Sequence, residues 1–365
     1  MFAAMFPSRI LTWYLARMFI TRILAVLVLL VLVLQMLDLL SESGKILAVP
    51  GNGQAQILTY VSLRIPQLIA RFLPYSVLLA TLFTFWPLNQ NSEVISMRAA
   101  GLSAHQVLAP ILLAAAGISL ASFVFNETVV TRATGTLKQW SNLKYAPIPA
   151  DSGMKANVYL RDGTDILTAA TVTGNSDQIV MNGVTWYKRD AGGMVTEQIR
   201  SDRATYAAPG WRMENPRRFD VRSTTQQQLS TQVVAPGITP AQVLIGKVDP
   251  DGQNVFELRQ SIQAFKAAGR RTSELEGKWW HKFSGPLSVL LMPLLGSVAA
   301  FGLARSGKLL VRAIAAMALG FAYFVVDNAA LAMGNFGGYP ALVAAWAPFL
   351  LFYLVGETVL VRTEE

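Results

Sequence analysis

Six apolar stretches, each near the 20 residues that a helix needs to cross a bilayer, fall into two groups of three around one polar insert. Phe19–Leu40, Ile65–Pro87 and Gln106–Phe125 precede the insert; Phe283–Ala304, Ala313–Met333 and Leu342–Val361 follow it. Few folds are open to such a chain, because backbone polar groups in hydrocarbon must be satisfied within helices or a closed barrel. The pattern predicts a membrane α-helical bundle of six transmembrane helices. Residues 126–282 would form an antiparallel β domain, a sandwich or a β-jellyroll-like fold, and a return helix, set between helices 3 and 4 of the helical parts 1–125 and 283–365. With 53% hydrophobic residues and a mean hydropathy of +0.39, the chain is too apolar for two soluble domains.

The net charge of +9 does not point to nucleic acid. No run of five or six basic residues occurs, and the densest cluster, Arg217, Arg218 and Arg222, is interrupted by Phe219 and Asp220. The excess reads instead as the basic balance that orients membrane proteins. Cysteine is absent, which removes a disulfide framework, a thiolate metal site and a Cys nucleophile. At the N-terminus, Arg9, Arg17 and Arg22 lead into an apolar run longer than that of a signal peptide, with no small-x-small cleavage site before Asp38 and Glu42, so a retained first span is expected. Placing the N-terminus in the cytoplasm gathers Arg9, Arg17, Arg22, Arg98, Arg305, Lys308, Arg312 and Arg362 on that side. Lys45 and Arg64 lie opposite, and the last loop, Gly334–Ala341, has no Lys or Arg. The insert then lies outside the cytoplasm, with both termini inside.

Along the chain, Gln35, Asp38, Glu42 and Lys45 recur at helical spacing and make one polar stripe at the outer end of span one. Pro66, Pro74 and Pro87 should kink span two or mark its ends. Residues 91–101 then read as a short separate helix. Ser92 is placed to cap it, Glu93 suits its positive end and Gly101 can terminate it. Ser103 and Gln106 have the spacing of a capping box opening the next helix. From Val158 the insert alternates apolar and polar residues between turn signals at Arg161-Asp162-Gly163, Gly174–Asp177 and Asp190–Gly193, which predicts short antiparallel strands. Gln178–Arg189 is the best strand, with a bulge or tight turn expected at Asn182-Gly183. Leu229–Leu244 reads as an extended return and Asp249–Gly252 as a turn. Residues 254–268 resume helical periodicity, and Trp279-Trp280-His281-Lys282 is an interfacial anchor.

Several features invite chemistry that the residues do not support. Gly302–Leu309 has phosphate-loop spacing but ends in Leu where a Mg²⁺-binding hydroxyl is needed, and it follows an apolar helix. His105 and His281 fall on opposite sides of the membrane without a neighbouring carboxylate cluster, so neither metal nor triad chemistry is expected. No catalytic residue and no cofactor emerge. Asp38, Asp327 and Glu357 lie near span ends, where interfacial solvation explains them better than a proton relay. Lys45, Arg64, Arg71 and Arg132 are basic residues on the outer side, with Asp38 among them. Together they are candidates to bind substrate, because guanidinium and ammonium groups pair with the phosphates of an anionic lipid head group. Snorkelling toward ordinary head groups is the competing explanation for any one of them.

Three segments carry a resemblance: Ser92-Glu93-Val94-Ile95-Ser96-Met97-Arg98-Ala99-Ala100-Gly101, Lys282-Phe283-Ser284-Gly285-Pro286-Leu287, and Phe324-Val325-Val326-Asp327-Asn328. With the placement of the insert, they make the chain resemble the LptF/LptG permease family of lipopolysaccharide exporters, its LptG branch more than its LptF branch. The resemblance implies a non-catalytic subunit of an ABC transporter in the inner membrane. Its partners would be the paralogous permease LptF, a dimer of the LptB ATPase and LptC, with lipopolysaccharide as substrate passed to a periplasmic jellyroll bridge. It also implies that Ser92, Glu93, Met97, Arg98 and Gly101 belong to a coupling helix seated in the ATPase, and that spans one and five form lateral gates. Where the family carries lysines at the outer end of span one, this chain has Gln35, Ser41 and Glu42 around Asp38, with Lys45 the nearest base. Phosphate contact therefore extends to Arg64, Arg71 or Arg132. Two other classes predict different behaviour: an ion-coupled secondary transporter would use Asp38, Asp327 or Glu357, and a membrane-anchored sensor or assembly factor would act through the insert alone.

Overall fold

The computed structural model describes residues 8–147, 155–173, 179–240, 243, 249–267, 270–300 and 309–362. It divides into a helical unit of residues 1–147, 249–260 and 272–365 and a second unit of residues 148–248 and 261–271.

Helix α1 (Arg9–Leu47) starts where the Ser8 hydroxyl accepts the Leu11 N–H, so the apolar run Phe19–Leu40 is only the centre of a 39-residue helix. Its buried residues Leu15, Phe19, Ile23, Leu27, Val31 and Gln35 recur at every fourth position. That spacing makes one narrow stripe along the helix. Leu24, Val28, Leu32 and Met36 remain more than half exposed, so this chain leaves the rest of the helix's apolar surface uncovered.

Helix α2 (Gln54–Gln90) passes through Pro66, Pro74 and Pro87 without ending at any of them. Pro87 has no N–H for the Phe83 carbonyl four residues back. Arg22 of α1 donates to that oxygen, so a residue read from the sequence as an orienting charge also replaces a missing backbone donor.

After α3 (Glu93–Ala99), helix α4 (Ala104–Phe125) runs through a π-turn, Asn126–Val130, into α5 (Thr131–Asn142). The third span was expected to end at Phe125, but the wider turn keeps the backbone in hydrogen-bonded helix. The Thr128 and Thr131 hydroxyls bond the Val124 and Glu127 carbonyls at 2.7 and 3.0 Å. Residues 126–142, expected to open the insert, thus extend the helix and pack with the helical unit.

Further along the described residues come α6 (Val255–Ala267), α7 (Ser273–Ala300), α8 (Leu309–Asn335) and α9 (Ala341–Arg362). Among the described residues, five helices are long and apolar enough to cross a membrane: α1, α2, the continuous α4–α5 helix, α8 and α9. The predicted span Phe283–Ala304 begins in α7, and its residues 301–304 lie outside the described residues. So do Arg305 and residues 302–308 of the phosphate-loop lookalike, and the turn Gly174–Asp177. The bundle core joins Phe19 of α1, Phe85 of α2, Leu108 of α4, Leu295 of α7, Tyr323 of α8 and Leu360 of α9. Close approach adds to this packing, as is usual where lipid is as apolar as the helices themselves. A Cβ added at Gly356 of α9 would lie 2.8 Å from Leu294 Cγ of α7.

The second unit is built on one antiparallel sheet of eight strands: β1 (Lys155–Asp162), β2 (Asp165–Thr173), β3 (Val180–Arg189), β4 (Val195–Ala207), β5 (Gly210–Glu214), β6 (Arg217–Asp220), β7 (Thr225–Gln228) and β8 (Thr231–Val234). The hydrogen-bonded order is β1-β2-β3-β4-β5-β8, and β4 forks: Glu197–Arg200 pair with β6, which pairs with β7, while Arg203–Ala207 pair with β5. The bulge expected at Asn182-Gly183 is not there. Register is unbroken across Asn182 and Val184, with Gly183 at φ +61° facing Ala170, and the shift falls instead at Lys188/Arg189. Leu167, Met181, Ile199, Trp211 and Met213 form the inward face. Buried indole nitrogen needs an acceptor, and Trp211 Nε1 donates to the Ile238 carbonyl at 2.8 Å.

Candidate functional site

At the end of α1, spacings of four and three put Asp38, Glu42 and Lys45 on one face. They meet the first turns of α2 and the last turns of α5 around a cavity of about 730 Å³. Arg64 holds Asp38 with two parallel bonds, Nε at 3.0 Å and Nη2 at 3.1 Å, and gives Nη1 to Gln67 at 2.9 Å. The Tyr60 hydroxyl donates to the same Asp38 oxygen as Arg64 Nε. All three guanidinium nitrogens of Arg64 are therefore engaged within the chain. Glu42 accepts from Lys45 Nζ and from the Tyr145 hydroxyl, both at 2.7 Å. Burial, and then this bond to a carboxylate, push Tyr145 up to about 12.

Lys144 (φ 52°) and Tyr145 (φ 62°) are consecutive left-handed residues. Such backbone persists only where its surroundings over-determine it. Here Asn52 Nδ2 donates to the Tyr145 and Ile46 carbonyls at 2.9 and 3.0 Å, and the Tyr145 ring meets Trp140 and Tyr60 edge-on. The turn carries exposed Lys144 into the cavity lining beside Lys45 and Lys138, the latter bonded to Asp249 at 2.6 Å. Gln35, one turn before Asp38, is buried with neither amide atom hydrogen-bonded.

A second cavity of about 640 Å³ shares Arg64 and Gln67 with the first and adds Arg71, Lys278, Lys282 and Asp327. Lys282 Nζ pairs with Glu127 Oε1 at 2.7 Å, both largely buried, and the other Glu127 oxygen accepts the Val255 N–H at 2.6 Å. His281 Nε2 lies 3.8 Å from Asp327 Oδ2, and Asp327 is only 6% exposed.

Each histidine has a carboxylate neighbour, Asp327 for His281 and Glu357 for His105 at 2.9 Å, and among the described residues no group of three or more His, Asp and Glu side chains could hold a metal. One expectation is corrected. Asp38, Asp327 and Glu357 are met by side chains of other helices, where interfacial solvation was expected. Of the candidate substrate residues, Asp38, Lys45 and Arg64 line the first cavity and Arg71 the second, while Arg132 is exposed on α5 and lines neither. Lys138 of α5 and Lys144 of the turn after it do not stand out in the sequence, because residues 126–282 read as the insert, which hides their place in the lining of the first cavity.

At the other end of α2 and α4, α3 is held by its own turns. Ser92 does not cap it: with φ 58° and ψ 18° the residue is left-handed and its hydroxyl makes no cap bond, and the chain turns sharply out of α2 there. Gly101 ends the helix at φ +89°, with Gly101 N–H to Arg98 O at 2.9 Å and Leu102 N–H to Met97 O at 3.2 Å. That pair of bonds is a Schellman motif. The Ser103 hydroxyl accepts the Gln106 N–H and Gln106 Oε1 accepts the Ser103 N–H, so the expected capping box opens α4. Val94 anchors α3 in the bundle core and Met97 packs against it, while Ile95 and Arg98 stay exposed.

Comparison with known proteins agrees with this plan. A family model described as "Lipopolysaccharide export system permease LptF/LptG" matches residues 13–362. The "Lipopolysaccharide export system permease protein LptG" of Escherichia coli (strain K12) is 23% identical over 315 residues, which cover 83% of this chain and 84% of that protein. The protein of the same name from Haemophilus influenzae is 23% identical over 305 residues, covering 82% and 84%.

Proposed function

Because the chain belongs to the LptF/LptG family of lipopolysaccharide export permeases, we propose that it is one of two permeases of an ABC transporter that lifts lipopolysaccharide from the outer leaflet of the inner membrane. The second permease is an LptF-like paralogue, and hydrolysis is supplied by two copies of an LptB-like ATPase. Six spans put both termini in the cytoplasm and the β unit in the periplasm. There it opens a jellyroll bridge continued by LptC. The forked β4 strand supports that reading, since its two halves lead into separate arms that can form opposed layers.

The observation that carries the proposal is α3. A seven-residue helix, buried by Val94 on one side, exposed at Ile95 and Arg98 on the other and stopped by a Schellman turn, is a rigid element offered at the end of two long helices. In this reading Ser92, Glu93, Met97, Arg98 and Gly101 belong to the surface seated in the ATPase. The uncovered apolar face of α1 supports a lipid or paralogue neighbour. The two outer cavities supply cations for phosphates through Lys45, Arg64 and Arg71, with Arg132 nearby on α5. Since Asp38 holds Arg64 in a fork, a phosphate that takes Arg64 must displace Asp38 from it. Of the carboxylates that an ion-coupled carrier would need, Asp38 is bonded by Arg64 and Glu357 by His105, while His281 stands 3.8 Å from Asp327.

Affinity purification in detergent tests the assembly: a second homologous permease and an ATPase should copurify. Glu93→Lys should cut the recovered ATPase about tenfold, the scale of a reversed charge at an interface, and leave the paralogue bound. Recovery of the chain alone, or undiminished ATPase with Glu93→Lys, would sink the reading.

A further inference from the structure

His105 is the only ionisable side chain of α4, and Glu357 is the only acid of α9. These two, separated by 252 residues, meet at 2.9 Å between His105 Nε2 and Glu357 Oε1. An acid in an otherwise apolar, membrane-competent helix is costly at its centre; Glu357 lies near the end of α9 with its side chain 36% exposed. Here its partner is not a ligand of the cavities described above but the second residue of α4, immediately after the turn that ends α3.

What the contact joins is the informative part. On one side, the Schellman turn at Gly101 and the capping box at Ser103 leave little slack between α3 and His105, because the N–H groups of Ala100, Gly101, Leu102 and Ser103 are all paired there. On the other, Glu357 stands beside Gly356, where α9 approaches Leu294 of α7, and one turn from Leu360, which shares the buried core with Val94 of α3 and Leu108 of α4. Further along, α9 carries Phe352, edge-on to Tyr323 of α8 with ring centroids 5.5 Å apart. A displacement of α3 therefore has a polar contact into α9, and through α9 into α7 and α8.

We propose that His105 and Glu357 are a positioning pair that carries movement of the docking helix α3 into the C-terminal helices. The ATPase stroke would then drive α7–α9 together with α2 and α4. This inference rests on the docking role assigned to α3, but it concerns a step after docking. Apolar packing around Leu360 keeps the helices together without specifying their registry; the His105–Glu357 bond, between side chains 38% and 36% exposed, adds one directional contact that is made only when α4 and α9 are in this register.

The test uses the whole transporter in proteoliposomes and reads three quantities: ATPase bound, ATP hydrolysed, and lipopolysaccharide extracted per ATP. Glu357→Leu should leave the first two within about twofold of the parent and lower the third at least about fivefold. Glu357→Gln, which keeps an acceptor for the imidazole N–H, should recover most of the loss. The exchange His105→Glu with Glu357→His should also recover it. Unchanged extraction per ATP in Glu357→Leu would overturn the proposal. So would a loss that neither Glu357→Gln nor the exchange repairs, which would mark the pair as mere packing. If α3 were not the docking element, Glu93→Lys would leave the ATPase bound; failure of the positioning role instead shows as normal binding with normal yield in Glu357→Leu.

Discussion

Single side chains around the first cavity show how far a residue's role depends on its partners. Glu42 and Tyr145 stand 103 positions apart and share one hydrogen bond, with Lys45 on the other carboxylate oxygen. Removing the hydroxyl with Tyr145→Phe should cost about 1 kcal/mol, because the half-buried Glu42 carboxylate loses one donor from a buried ring. The sign of the pH effect follows from the raised value of Tyr145. Its contribution is complete below the ordinary tyrosine value near 10 and is lost as pH rises toward about 12. Thermal unfolding in detergent should therefore show an alkaline loss between those limits in the parent, reduced in Tyr145→Phe; identical alkaline arms would contradict the assignment. In the sequence, Glu42 is one member of a polar stripe at the end of span one. That its neighbours would be Tyr145 and Lys45, and Asp38's would be Tyr60 and Arg64, depended on α2 and α5 arriving beside α1.

Elements were legible where local pattern decides them. Gly101 illustrates this: a glycine after seven residues of helix, followed by Ser-x-x-Gln, predicts a stop and a restart, and the Schellman turn and capping box supply both. A Cβ at Gly101 would meet nothing within 4 Å, so any penalty comes from its left-handed backbone alone. Gly101→Ala should thus cost about 1–2 kcal/mol, seen as weakened ATPase binding with the bundle's melting temperature unchanged. Gly356 is the opposite case, a steric requirement between α9 and α7. Gly356→Ile should lower the melting temperature through overpacking of about 1–3 kcal/mol. If the two variants swapped these outcomes, the roles given to the two glycines would be reversed. Element ends were less legible where side chains from elsewhere take part. Pro87 does not end α2, because Arg22 of a different helix reaches the carbonyl that it leaves unpaired. The third span does not end at Phe125, because a π-turn and two threonine hydroxyls carry the helix past the polar residues.

For the molecule as a whole, topology is the claim most open to direct measurement, and the absence of cysteine makes the chain suited to it. Single substitutions Ser96→Cys on α3 and Asp190→Cys in the β3–β4 turn should label on opposite sides of the inner membrane. An impermeant maleimide added from the periplasmic side should reach residue 190 and leave residue 96 untouched until the membrane is opened. Labelling of both from one side would overturn the arrangement of spans on which the proposed export direction depends.

The order of apolar and polar segments, the antiparallel character of the insert and the short helix between spans two and three all come from properties of residues a few positions apart. Hydropathy, strand alternation and capping are local, so the linear sequence by itself determines them. The pairing of Asp38 with Arg64, Glu127 with Lys282 and His105 with Glu357 was decided only in three dimensions. A charge in apolar surroundings must find a partner wherever packing brings one within reach, and that distance has no trace in sequence separation.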